Sequence, residues 1–210
     1  MDEEKYYFFN KDSCDLCGLC LNESPVLELP IEEAKEEMKK LIEGKKSRVL
    51  TECANCISCN TICPKECDPY ELILYGWYER YKNEGLPEAA GFLLPWQRKS
   101  WNMWPMIQDV LLEDEKETVN SWGKLRKCEE IVYPGCNVLI NPYLTHSKLF
   151  DGLTFMGSYD ICCGEPIFRA GIFDIAEQIG RKLEKQFQDL EVKRVIFMCL
   201  AGLNMFENVY

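Results

Sequence analysis

Apolar positions in the first ninety residues recur at steps of three and four. In PIEEAKEEMKKLIEG, Ile31, Ala34, Met38, Leu41 and Ile42 share one face, with Pro30 near the first turn and Gly44 as a stop. A second helix is predicted over 70–83, with Asp68 as N-cap, Pro69 at the first helical position and Gly85 past the end. From Glu129 the pattern changes to short apolar runs, read as strands at 131–133, 153–156 and 195–198. Between the last two, Ile172, Ala176, Ile179, Leu183, Phe187 and Leu190 mark a helix with one buried face. Residues 91–127 separate these patterns, are broken by Pro95 and Pro105, and hold four of the five tryptophans. They read as a connector whose aromatics pack onto the flanking domains. The expected class is α+β: a mostly α-helical domain over 1–90, the connector, and a small α/β domain with parallel strands over 128–210.

Composition narrows the partners. The 210 residues carry 35 acidic against 24 basic side chains, a net charge of −11, which disfavours a phosphate backbone or an anionic membrane surface. The start, MDEEKYYFFN, lacks a basic segment followed by an apolar one, and no apolar run is long enough to span a bilayer. A cytoplasmic protein is expected, meeting a membrane only through a partner. In a reducing compartment the 13 cysteines stay free for metals rather than forming a disulfide framework, and the odd number leaves at least one spare.

Cys53, Cys56, Cys59 and Cys63, followed by Pro64, spell C-x2-C-x2-C-x3-C-P. Three thiolates so spaced wrap one cubane cluster while the fourth reaches a neighbouring cluster. A structural zinc site usually pairs two C-x2-C knuckles across a longer loop. The cross-over rule assigns Cys14, Cys17, Cys20 and Cys63 to one [4Fe-4S] cluster, and Cys53, Cys56 and Cys59 to three corners of a second. The remaining corner falls to Ser24, in CDLCGLCLNESP. Either the serine oxygen binds iron, or the fourth iron is bound by water or substrate, or it is lost to leave [3Fe-4S]; Cys67 is the substitute thiol. Serine or open coordination is favoured because Ser24 keeps the x3 spacing and the following proline. Thirty-two residues between Cys20 and Cys53 leave room for the helix placed above. With CANCISCNTICP and CDPYELIL, residues 10–90 resemble the helical ferredoxin domain of respiratory iron-sulfur subunits.

In the second half, YPGC puts Cys136 after the first strand, DICCGEP puts Cys162 and Cys163 after the second, and VIFMC puts Cys199 at the end of the third. Parallel strands would collect all four thiols beyond their carboxyl ends, where open α/β sheets bind ligands. An adjacent cysteine pair with two distant thiols suggests an unusual cluster or a redox disulfide. Gly164 lets the backbone come close to such a site. The stretches YPGC, CCGEPIFRAG and FMCLAGLNMF resemble the cysteine-rich CCG module of heterodisulfide reductase catalytic subunits. The same module occurs in the iron-sulfur subunits of glycolate and lactate oxidases and of some anaerobic glycerol-3-phosphate dehydrogenases. The resemblance implies an additional iron-sulfur site on these cysteines, handling disulfide, quinone or flavin-derived electrons. Two features depart from it. Gly202 stands where the last element usually has a second cysteine, and a single module is present where the family usually has two.

Other residues add little. His146 reads as a surface or capping residue on a helix, and Cys128 as an ordinary thiol. Glu165 and Arg169 follow the cysteine pair closely enough to shuttle a proton or hold an anion. No glycine-rich nucleotide motif or Ser/His/Asp set is present, so flavin or nicotinamide chemistry would belong to a partner. The resemblance implies an oxidoreductase subunit of the heterodisulfide reductase type, passing electrons through two clusters to Cys136, Cys162, Cys163 and Cys199. The alternative is a non-catalytic electron-transfer subunit of a flavin dehydrogenase complex. Either would work with a flavoprotein, a hydrogenase or a membrane electron carrier.

Overall fold

Helix α1 (Ile31–Ile42) buries Ala34, Met38 and Leu41, the face marked by the sequence pattern. Glu32 and Glu33 sit in its first turn and Lys39 and Lys40 in its last, the arrangement its dipole favours. Glu37 lies on the buried side as well. Burial works against its carboxylate, but bonds from Lys40, Ser47 and the Arg48 backbone N–H outweigh it and hold the group below its usual range. That carboxylate fastens α1 to the stretch leading into the second cysteine run.

Helix α2 (Pro69–Glu84) buries Leu72, Ile73, Leu74 and Tyr78. Asp68 precedes it as expected but does not cap it: its backbone is left-handed (φ 54) and its side chain makes no cap bond. Asn60 Oδ1 accepts the Tyr70 N–H instead, at 2.7 Å. The cap therefore comes from the second cysteine run, which positions that loop against the start of α2.

The computed structural model describes residues 8–86, 90–93, 102–124, 127–158 and 161–210. The chain divides into two units. One comprises Met1–Gly85 with Arg169–Phe173, and contains α1 and α2; the other comprises Leu86–Phe168 and Asp174–Tyr210. The short segment joins the first unit by close packing, since a Cβ at Gly171 would lie 2.8 Å from Leu74 O and from Trp77 Cβ.

The predicted connector is more regular than its prolines suggest. It forms α3 (Met103–Val110) and α4 (Glu113–Trp122) and is grouped with the second unit. Pro105 falls in the first turn of α3, where a missing N–H costs nothing. Trp104 and Trp122 are buried, while Trp96 and Trp101 lie outside the described residues.

Strands β1 (Glu130–Tyr133) and β2 (Arg194–Phe197) pair in parallel, Ile131 opposite Val195 and Tyr133 opposite Phe197. The strand expected at 153–156 is reduced to one parallel bridge between Val132 and Phe155 on the other side of β1. After β1 comes α5 (Gly135–Leu139), and before β2 the long helix α6 (Phe173–Asp189). The core between sheet and α6 holds Ile131, Tyr133, Met156, Cys163, Leu183 and Phe187. The chain ends through α7 (Leu200–Asn204) and one turn of wider helix. Among the described residues no helix is long and apolar enough to cross a membrane.

Candidate redox sites

The two cysteine runs of the first unit share one backbone design. Two and four residues after the leading cysteine the chain is left-handed: Leu16 (φ 56) and Gly18 (φ 81) after Cys14, Asn55 (φ 63) and Ile57 (φ 66) after Cys53. A short helix follows each, Leu19–Asn22 and Ser58–Ile62. Ile57 is a β-branched residue in a region such residues avoid, so the surrounding packing must hold it there.

Cys14, Cys17 and Cys20 line one small pocket together with Cys63, the last cysteine of the other run. Cys53, Cys56 and Cys59 line a second small pocket together with Ser24. Cys20 forms a wall of both. Cys67, buried at 1% exposure, lines the first cavity and not the second, so it does not stand at the corner left to Ser24. Burial pushes its thiol up to about 12, and Cys63 and Cys14 add to the shift.

Burial also pushes Cys20 and Cys59 up to about 12, with neighbouring cysteines contributing next. Cys53 is raised by burial, although the Asn55 N–H donates to its sulfur at 3.4 Å. Cys56, the exposed member, is lowered by hydrogen bonds from the side chain and backbone of Ser58. Buried thiols like these give up their protons only to a strongly electropositive occupant. Among the described residues no three His, Cys, Asp or Glu side chains are grouped tightly enough to hold a single metal ion. The lining of each pocket, three thiols of one run with a residue of the other, fits iron-sulfur ligation, in which each iron takes one protein ligand.

In the second unit, Cys136 follows the end of β1, Cys199 follows the end of β2, and Cys162 and Cys163 lie in the loop before α6. All four bear on Tyr133, whose hydroxyl is driven well up by burial and then by Cys163, Cys162, Cys136 and Cys199. A Cβ at Gly135 would stand 3.3 Å from Cys199 Cβ, so the glycine leaves Cys199 its room beside the Cys136 turn. Burial pushes the Cys136 thiol up to about 12, followed by Cys163 and Cys199. The adjacent pair is asymmetric. Cys162 donates its S–H to Cys163 and is raised; Cys163, receiving that bond and another from the Glu165 N–H, is lowered despite burial.

Residues 132–207 match the family described as CCG, a cysteine-rich domain. Over this stretch the chain is similar to a CCG domain. The stretch encloses all four thiols just described. An uncharacterized iron-sulfur protein of Methanocaldococcus jannaschii is 23% identical over 235 residues, covering 98% of this chain and 46% of that protein. The chain thus spans about half the length of this curated relative. No solved structure matches it significantly.

Several residues that position the CCG domain's thiols were not read from the sequence. The Tyr210 hydroxyl lies 2.5 Å from the Cys163 carbonyl and 2.8 Å from that of Ala176, with one proton to share between them. Its only trace in the sequence is Gly180, a glycine inside a strong helical pattern. Gly202 borders the site: a Cβ there would lie 3.8 Å from Cys163 Cβ. Arg169, expected beside the cysteine pair, belongs to the first unit. Its guanidinium stands 5.7 Å from the Tyr70 ring centre and its carbonyl accepts from Asn55 Nδ2 at 3.1 Å. Glu165 contributes its N–H to Cys163. His146 ends an exposed turn of 3-10 helix, and Cys128 is half-buried with its N–H on Leu190 O.

Proposed function

We propose that this chain is an iron-sulfur redox subunit that passes electrons through two ferredoxin-type clusters to the cysteines of its CCG domain, where a disulfide or similar two-electron acceptor is reduced. The observation that carries the reading is Cys63: it belongs to the second run by sequence but completes the cavity of Cys14, Cys17 and Cys20. Clusters bound in these cavities would supply electrons one at a time. The named iron-sulfur relative and the CCG match support the same class.

Cys163 is the thiol suited to open a disulfide, because the Cys162 S–H and the Glu165 N–H favour its thiolate. Its sulfur bonds to one substrate sulfur, and the other leaves as a thiolate that takes a proton. Two electrons from the redox partner then cleave the mixed disulfide. The second substrate thiolate leaves and takes a proton, and Cys163 is restored. A flavoprotein, a hydrogenase or a membrane electron carrier would serve as that partner.

Gly202, in place of a further thiol, favours a second reading: an electron-transfer subunit of a flavin dehydrogenase complex with no substrate of its own. Iron and acid-labile sulfide analysis of anaerobically purified protein tests the clusters. Incubation with a reduced dye and a disulfide separates the two readings. Thiol formation that is lost in Cys163→Ser supports reduction at the CCG domain. Dye oxidation without thiol formation supports electron transfer alone. A colourless protein after reconstitution removes both.

A further inference from the structure

We propose that Ser24 Oγ is the fourth protein ligand of the cluster held by Cys53, Cys56 and Cys59. This rests on the iron-sulfur reading above and adds what occupies the odd corner. Three observations converge on it.

The first is place. Ser24 lines the same cavity as the three thiols, and it is buried at 6% exposure. Cys67, the rival for the corner, faces the other cavity. The second is the environment of the oxygen. The Leu27 N–H donates to Ser24 Oγ at 3.2 Å and the Val26 N–H at 3.4 Å. Two backbone donors aimed at one hydroxyl oxygen stabilise charge building on it, as an oxyanion pocket does. A serine oxygen binds iron only as its alkoxide, so these donors offset the main cost of using serine in place of cysteine.

The third is the hydroxyl proton. Both lone pairs of the neutral hydroxyl are taken by the two N–H groups, and among the described residues no acceptor receives its proton. A serine present only to brace the turn would leave that O–H buried without a partner beside a cavity lined by metal-binding thiols. On ligation the O–H bond breaks, an iron–oxygen bond forms, the proton passes to solvent during cluster assembly, and no electron moves.

Oxygen is a harder donor than thiolate and favours ferric iron, so this cluster has a lower potential than its own all-cysteine form would have. The Cys14, Cys17, Cys20 and Cys63 cluster, which Ser24 does not touch, is the internal reference in every sample.

The test uses the full chain, reconstituted anaerobically, as wild type, Ser24→Cys and Ser24→Ala. Iron and sulfide are counted, EPR is recorded oxidised and reduced, and potentials are titrated. Ligation predicts that wild type keeps a full complement with no oxidised [3Fe-4S] signal. Ser24→Ala loses one iron per chain and gains that signal. Ser24→Cys keeps its iron and raises the potential of one cluster only. Wild type and Ser24→Ala agreeing in iron content, signal and potential would overturn the proposal, as would a [3Fe-4S] signal in oxidised wild type. Because Ser24→Ala also removes the turn bonds, Ser24→Cys gives an independent reading: an unchanged potential there counts against ligation. Absence of both clusters from every variant would instead remove the iron-sulfur reading itself, a result distinguishable from loss at a single corner.

Discussion

Gly180 lies directly beneath the phenol ring of Tyr210, so close that a Cβ at position 180 would overlap the ring. The same tyrosine holds the Cys163 carbonyl through its hydroxyl. Alanine at 180 should gain about 1 kcal/mol of helix propensity. Displacing Tyr210 should more than cancel this, with overpacking costing about 1–3 kcal/mol. Gly180→Ala is therefore expected to lower the melting temperature and to speed alkylation of Cys163. Tyr210→Phe, which keeps the ring, should cost only about 1 kcal/mol, the net value of one hydrogen bond. Thermal unfolding and iodoacetamide labelling of the two variants check both expectations.

A thiol at position 202 would fall next to Cys163. The 3.8 Å between the two Cβ positions is the ordinary separation across a disulfide, and the Phe197 ring at 3.2 Å is the tighter neighbour that must give way. Gly202→Cys should thus form a bond to Cys163 under mild oxidation. Peptide mapping without reductant would find the linked pair; two free thiols after oxidation would count against this placement.

Cys63 and Cys67 are four residues apart and border one cavity, yet they should respond differently. On the iron-sulfur reading proposed above, Cys63→Ala should cost the cluster of the first run while sparing that of the second. Cys67→Ala should keep the iron of both, since its thiol lies against Cys63 and Cys14 as an additional neighbour. Its loss is expected to destabilise the fold by about 1 kcal/mol through the small void left behind. Iron counts and reduced-state EPR on the two variants discriminate these outcomes.

Glu71 is raised from 4.5 to about 7, first by burial and then by Asp68, with Arg169 opposing. The folded chain therefore holds this proton more tightly than the unfolded chain. The stability it contributes is fully present below about pH 4.5 and is lost as the pH rises through about 7. Between those limits the melting temperature should fall with pH for wild type and change less for Glu71→Gln, recorded in parallel scans.

Much of the first unit is visible in the chain because cysteine spacing and helical periodicity are local. Ala34, Met38 and Leu41 announce α1, and the x2 spacings place the thiols of each run together. What escapes is long-range or carried by the backbone. Asp68 looks like a cap, but the left-handed residues at 55 and 57 bring Asn60 to Tyr70 first. The run at 153–156 has strand composition, yet only Phe155 pairs with β1, and the exposed residues before it form no ladder. Arg169 follows the cysteine pair by six residues and still belongs to the other unit, a separation that neighbouring sequence conceals. In the second unit, the ends of β1 and β2 place Cys136 and Cys199 as the sequence suggests, but the loop that carries Cys162 and Cys163 and the Tyr210 contact across 47 residues leave no periodic mark.

Because Arg169–Phe173 is counted with the first unit while the sequence on either side of it is counted with the second, the polypeptide passes between the two more than once. No single cut separates them. A fragment starting at residue 86 would carry Ile172 and Phe173, both fully buried in the intact chain, without the helix against which Tyr78 meets Phe173 at 5.2 Å. A fragment ending at residue 85 would lack the same filling. Limited proteolysis and co-expression of halves should therefore show mutual dependence in solubility, as expected of a discontinuous folding unit rather than of beads on a string.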